Sequence, residues 1–222
     1  SKGNLVAPEA FYDTVGADAL RLAHLFVGPP GDAVGWEAFG VEGCSRFLQR
    51  VWRLADPASD AVPAASGDAV DTVDRAAHRL IVRITDDFDR WSYNTAVAAG
   101  MEFVNLLYKQ GSTPFAIDTL LRLLAPMCPH ITAELWSLRH DGGHVHEQAW
   151  PEADPALAAV DTVTLVVQVN GKLKDKLEVS AGIDDAEAER LALASAKVVE
   201  VLGGAAPKRV ITRPPKLVNV VV

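Results

Sequence analysis

The spacing of apolar residues changes once along this chain, near residue 162, and one architecture cannot satisfy both parts. Before that point apolar residues recur at intervals of three and four, the repeat of helices buried along one stripe. After it comes VTLVVQV, from Val163 to Val169, a β-branched run that reads as a strand. A helical set followed by a strand-bearing piece makes two domains, with the junction between Pro155 and Thr162. A length of 222 residues accommodates both.

In the helical part, Leu20, Leu22, Leu25 and Phe26 mark a helix over 13–26. Gly28-Pro29-Pro30-Gly31 ends it, because proline cannot continue a helix. Phe47, Leu48, Val51 and Leu54 stripe a second helix over 41–54, and a loop rich in Ala, Pro, Ser and Gly runs on to Asp68. The clearest stripe is Val70, Val73, Ala77, Leu80, Ile81, Ile84 and Phe88, within a helix over 68–90. Ser92 or Asn94 is placed to cap the next helix, which reaches Lys109. Pro114 suits the first turn of a fifth helix over 115–124, and a short one covers 131–138. Short loops between such helices predict an antiparallel bundle, packed ridges into grooves.

In the second part, Asn170-Gly171 is a two-residue hairpin signal, with Leu177 and Val179 on the returning strand. Asp184 or Asp185 opens a helix over 186–201, which Gly203-Gly204 ends. Val210-Ile211 and Leu217 to Val222 supply two more strands. The predicted fold class is mainly α: an antiparallel helical bundle followed by a small α+β domain of order β-β-α-β-β.

A net charge of −8 argues against a nonspecific nucleic-acid binder. The charge is unevenly spread, however. Val163 to Val222 carries nine Lys and Arg against seven Asp and Glu, whereas the rest carries 12 against 22. An acidic body with a mildly basic tail points to a polyanionic partner for the tail. Lys172, Lys174 and Lys176 alternate along the returning strand and are expected to form one cationic row. Lys208, Arg209, Arg213 and Lys216 lie on or between the last two strands. On the bundle, Arg46, Arg50 and Arg53 share a helix face, and Arg75, Arg79 and Arg83 repeat at four. Asp71, Asp74, Asp86 and Asp87 are nearby ion-pair partners for the second stripe, each worth little at a surface.

Cys44 and Cys128 are far apart, match no zinc spacing and read as small buried hydrophobes of a cytosolic protein. No apolar run reaches the ~18–20 residues of a membrane span. Trp36, Trp52, Trp91, Trp136 and Trp150 are expected to pack between elements rather than stack on bases. His140, His144 and His146, with Asp141 and Glu147, read as a solvated loop, not a metal site. His130, between Pro129 and Ile131, is expected to be a hydrogen-bonded helix-start residue.

Several stretches together resemble one family. Gly16 to Pro30, GADALRLAHLFVGPP, is similar to the helix that leaves the Lys-Met-Ser-Lys-Ser loop of class I aminoacyl-tRNA synthetases. Ser1, Lys2, Gly3 and Asn4 resemble the end of that loop. Arg46 to Leu54, Asn94 to Ala99, Leu123 to Ile131 with Glu134-Leu135-Trp136, and Trp150-Pro151 resemble the anticodon-binding bundle of leucyl-tRNA synthetases. Val167 to Ala194 and Lys216 to Val222 resemble the C-terminal domain of the bacterial type. Two departures are Pro215, where the family usually has Gly, and Cys128, where Ala is usual.

The resemblance implies a C-terminal piece of a leucine–tRNA ligase, beginning inside the signature loop. It divides into a connector over 1–35, a helical anticodon-binding bundle over 36–155 and a small tRNA-binding domain over 162–222. Ser1 and Lys2 become remnants of the ATP loop, and no catalytic or metal-binding residue is expected in the chain. ATP and Mg are implied for the intact enzyme only, so the chain is expected not to activate leucine. The implied partners are leucine tRNA and the enzyme's own catalytic domain, in the cytoplasm, with no membrane. The resemblance also implies that the small domain touches the tRNA elbow and long variable arm and that anticodon bases are largely ignored. The tRNA-contact candidates are then Lys172, Lys174, Lys176, Lys208, Arg209, Arg213 and Lys216, with Arg46, Arg50 and Arg53 on the bundle. Two other readings remain open: a free-standing helical adaptor for protein partners, and the tRNA-binding half of a naturally split synthetase.

Overall fold

The computed structural model describes residues 7–28, 31, 35, 40–159 and 162–222. The chain divides into two units, Ser1–Ala158 and Ala159–Val222. In the first, α1 covers Glu9–Tyr12, α2 Ala17–Phe26, α3 Val41–Ala55 and α4 Asp68–Asp89. They are followed by α5 at Tyr93–Gln110, α6 at Pro114–Leu124, α7 at Pro129–Arg139 and α8 at Pro155–Ala158. The first helix expected from the sequence starts late, because Gly16 stands at φ 82 and separates α1 from α2.

One apolar core joins α2 through α7. α4 contributes Val73, Ala77, Leu80, Ile81 and Ile84 from a single stripe, whereas Val70, expected on it, stands exposed in the first turn. By contrast, α6 buries Leu120, Leu121, Leu123 and Leu124 completely, a broader apolar face than that of α4. Full burial of one such side chain contributes about 1.5–3 kcal/mol. The three residues between α4 and α5 force these long helices to run antiparallel.

Two helix starts are satisfied by side chains, one local and one distant. Thr113 Oγ1 accepts the Ala116 N–H at 3.0 Å, with Pro114 at the first position of α6. Asp18, nine-tenths buried on α2, accepts the Ile131 N–H at 2.7 Å and so caps α7 across the bundle. His130 does not play that part: it is exposed and its side chain makes no hydrogen bond among the described residues, while Asp18 occupies the cap.

The second unit is a four-stranded sheet with two helices on one face. β1 is Thr162–Val169, β2 Lys172–Ser180, α9 Asp185–Ala194, α10 Ala196–Leu202, β3 Arg209–Arg213 and β4 Leu217–Val221. The strand order is β2-β1-β4-β3, with β1 parallel to β4 and the outer pairs antiparallel. Asn170 at φ 49 and Gly171 at φ 76 make the β1–β2 turn of the primed kind that Asn-Gly favours. Asp184 caps α9 by accepting the Glu187 N–H at 2.8 Å. The single helix expected here is two. Ser195 leaves the helix at ψ 129, and its Oγ–H donates to Asp175 Oδ2 on β2 at 2.7 Å.

Candidate nucleic-acid interface

Strand register decides which cations of the second unit share a face, since directly paired residues point the same way. Val167, Val169, Val218 and Val220 are buried together with Ala188, Ala192 and Val198 of the helices. Their partners Asp175, Lys172, Thr212 and Val210 therefore lie on the helix side. The intervening residues form the opposite face, which no element of this unit covers among the described residues. One row there runs across all four strands as Lys176, Val166, Leu217 and Arg213. The next is Leu173, Gln168, Asn219 and Ile211, and Val221 with Arg209 follows.

This register corrects the expectation of one lysine row on β2. Val167 pairs with Asp175 but Gln168 pairs with Leu173, so Lys174 is an extra residue at a β-bulge. Two residues opposing one shift the alternation by a step, which puts Lys172 and Lys176 on opposite faces. Only Lys176 stands on the uncovered face, opposite Val166. Arg209 and Arg213 join that face from the far edge strand, both exposed. Lys208 and Lys216 lie just outside β3 and β4, at opposite ends of the last two strands, and are exposed as well.

Charge is segregated between the two layers. Of the nine cations in the unit, seven sit on strands and turns, and five of its eight acids lie between Asp184 and Glu200. The two helix cations are engaged: Lys197 pairs with Asp175 at 2.7 Å and Arg190 with Glu187 at 2.6 Å. The seven strand-and-turn cations have no side-chain hydrogen bond or ion pair among the described residues. One acid of the sheet, Asp175, is spent internally. Hydrogen bonds from Lys197, Ser195 and the Lys176 N–H hold its carboxyl down to about 2.

The bundle offers less. Arg46, Arg50 and Arg53 do follow one side of α3, with Arg46 and Arg53 exposed. Arg50 is held in place: it donates to Asn105 Oδ1 at 2.7 Å and stacks over the Tyr108 ring at 4.5 Å. Arg75 pairs with Asp71 at 2.8 Å, whereas Arg83 crosses to Glu102 on α5 at 2.6 Å instead of an acid on its own helix. Asp74 accepts from Thr113 Oγ1.

Trp136 is buried, Trp52 packs at the core edge, and Trp150 donates to Thr85 Oγ1 at 2.9 Å. Trp91 departs from the expected packing: it is 65% exposed at the α4–α5 turn, where φ 59 turns the chain away from both helices. Ser1, Lys2 and Trp36 lie outside the described residues. His140 reaches Asp118 at 3.1 Å and stacks on Trp136, and His146 contacts the Pro129 carbonyl at 3.3 Å, so the loop histidines diverge. Gln168 and Asn219, central on the uncovered face, carried no signal in the sequence, because their placement depends on the bulge and on the parallel β1–β4 pairing.

Residues 72–190 match the family of the anticodon-binding domain of tRNA ligase. The whole chain aligns with the leucine–tRNA ligase of Zymomonas mobilis at 43% identity, covering 26% of that protein. It aligns likewise with those of Dinoroseobacter shibae at 40% and Herpetosiphon aurantiacus at 39%, covering 26% and 28% of them. The chain thus spans about a quarter of the length of these relatives. Among solved structures it is similar to LeuRS in the ternary complex of Agrobacterium radiobacter K84 agnB2 LeuRS, tRNA and LeuAMS. The TM-score is 0.78 at 29% identity, over 100% of this chain and 31% of that one.

Proposed function

The chain belongs to the anticodon-binding domain family of tRNA ligases, and from that premise we propose that it is the tRNA-binding portion of a leucine–tRNA ligase. Relatives named for leucine align along its whole length, and a similar LeuRS structure includes tRNA. The observation that carries the reading is the layered charge of the second unit. Seven cations, without side-chain partners among the described residues, lie on the strands and turns, while most of the acids lie on the helices. Such an array attracts phosphate through charge, and its affinity falls with salt. The candidates are Lys172, Lys174, Lys176, Lys208, Arg209, Arg213 and Lys216, seconded on the bundle by the exposed Arg46 and Arg53.

In this reading the bundle and the small domain position tRNA for a catalytic domain in the longer enzyme, where ATP, Mg and leucine are used. The chain brings no Gly-rich phosphate loop of its own. It therefore binds tRNA without activating leucine. The test is titration of the purified chain with a leucine tRNA transcript over a salt series, beside a leucine-dependent ATP–pyrophosphate exchange assay. Saturable binding that weakens as salt rises, with no exchange, is the expected result. No saturable binding at low salt, or measurable exchange, refutes the proposal.

A further inference from the structure

We infer that the uncovered sheet face of the second unit holds the ribose–phosphate edge of RNA and senses the 2′-hydroxyl through Gln168 and Asn219. The inference rests on the tRNA-binding reading and specifies how that site works. Lys176 stands on one edge strand and Arg209 and Arg213 on the other. Three inter-strand spacings of ~4.8 Å separate those edges by about 14 Å. Phosphates are therefore met chiefly at the arginine margin, since Lys176 shares its edge and face with the exposed Glu178, and whatever lies further in meets the middle of the sheet.

That middle cannot stack bases in the usual way. No Phe, Tyr or Trp occurs after Trp150, and single-stranded nucleic acid is commonly held on aromatic platforms. Val166, Leu217 and Ile211 instead offer low aliphatic contact, with two amides among them. Gln168 and Asn219 are direct neighbours on β1 and β4. Asn219 Oδ1 accepts the Gly171 N–H at 3.0 Å, which fixes its orientation and leaves its NH2 as donor. Gln168 makes no side-chain hydrogen bond among the described residues and keeps both donor and acceptor. A hydroxyl that donates and accepts is the complement of that pair, and the 2′-hydroxyl distinguishes RNA from DNA.

The test uses the full chain with two probes, a leucine tRNA transcript and a DNA copy of the same sequence, across a salt series. Gln168→Leu keeps the side-chain bulk and removes the amide. Its expected effect is an about fivefold loss of affinity for RNA, the size of one hydrogen bond, with no loss for DNA. Arg209→Ala with Arg213→Ala is expected to weaken both probes alike and flatten the salt slope by about 2. Arg190→Ala, on the helical layer and paired only with Glu187, should change neither by more than about twofold. Equal RNA affinity for the Gln168→Leu and unaltered chains, or equal loss on both probes, overturns hydroxyl sensing. An unchanged slope for the double arginine variant overturns the choice of face while leaving the tRNA-binding reading intact. If the unaltered chain binds neither probe, that reading itself fails.

Discussion

One substitution, glycine to alanine, is expected to have opposite effects at two positions, one inside α5 and one just past its end. Gly111 follows the last turn at φ 91 and ψ 177, a region essentially restricted to glycine, so any side chain costs about 1–3 kcal/mol in backbone strain. A Cβ there would also stand 2.8 Å from both Cα and N of Ala65, main-chain atoms with little room to yield. Those atoms belong to the bridge in which Ala65 donates to the Ser112 carbonyl at 2.8 Å and Ser112 to that of Pro63 at 3.0 Å. Strain and clash together put Gly111→Ala at about 3 kcal/mol or more of lost stability. Gly100 is different: it lies inside α5, and its Cβ would meet Leu124 Cδ2 at 3.5 Å and Phe47 Cζ at 3.9 Å, ordinary contacts. Gly100→Ala therefore restricts the unfolded chain without a clash and should add about 0.5–1 kcal/mol. At roughly 2–4 °C per kcal/mol for a unit of this size, the helical signal should melt at least about 6 °C lower for Gly111→Ala. For Gly100→Ala it should melt about 1–4 °C higher. A Gly111→Ala chain as stable as the original, or a Gly100→Ala chain less stable than it, would refute the reasoning.

Other expectations follow from single contacts. Thr113→Ala removes the α6 cap and leaves Asp74 without its hydroxyl partner, at a cost of about 1–2 kcal/mol by urea denaturation, and Thr113→Ser should recover most of it. Asp175 has a carboxyl pKa lowered from 3.8 to about 2, so its contribution to folding is complete above pH 3.8 and disappears as pH falls through about 2. The second unit should lose stability across that window. Asp175→Asn should be weaker at neutral pH and lack that decline, as followed by the NMR signals of β1. Burial pushes the Cys44 thiol up to about 11 and Cys128 higher still, so neither should react with a thiol reagent at neutral pH until the bundle unfolds.

Much of the fold was legible because its signals are local. The α4 stripe, Thr113-Pro114 and Asn170-Gly171 each depend on residues within one or two turns, and each stands where local rules put it. The misses came from long-range chemistry. Asp18 caps a helix 113 residues away, which removes the expected job of His130. Ser195 bonds to a strand 20 residues back and divides a helix that its propensities would have continued. The interface was half legible. Which residues are basic is plain in the sequence, but their grouping turns on the unpaired Lys174, and no glycine marks that bulge. Trp91 was misplaced because composition alone does not reveal its left-handed backbone.

The central claim is that the strand-and-turn cations of the second unit carry the affinity for tRNA. Its most direct measurement is the slope of log affinity against log salt for a leucine tRNA transcript, compared between two neutralised chains. One has Lys208, Arg209, Arg213 and Lys216 changed to Ala, and the other has Arg46 and Arg53 changed to Ala. Loss of about 1 in slope for each phosphate contact predicts a marked flattening, by roughly 3–4, for the first chain and a smaller change for the second. An unaltered slope in the first chain, with flattening only in the second, would place the RNA on the bundle and contradict the account.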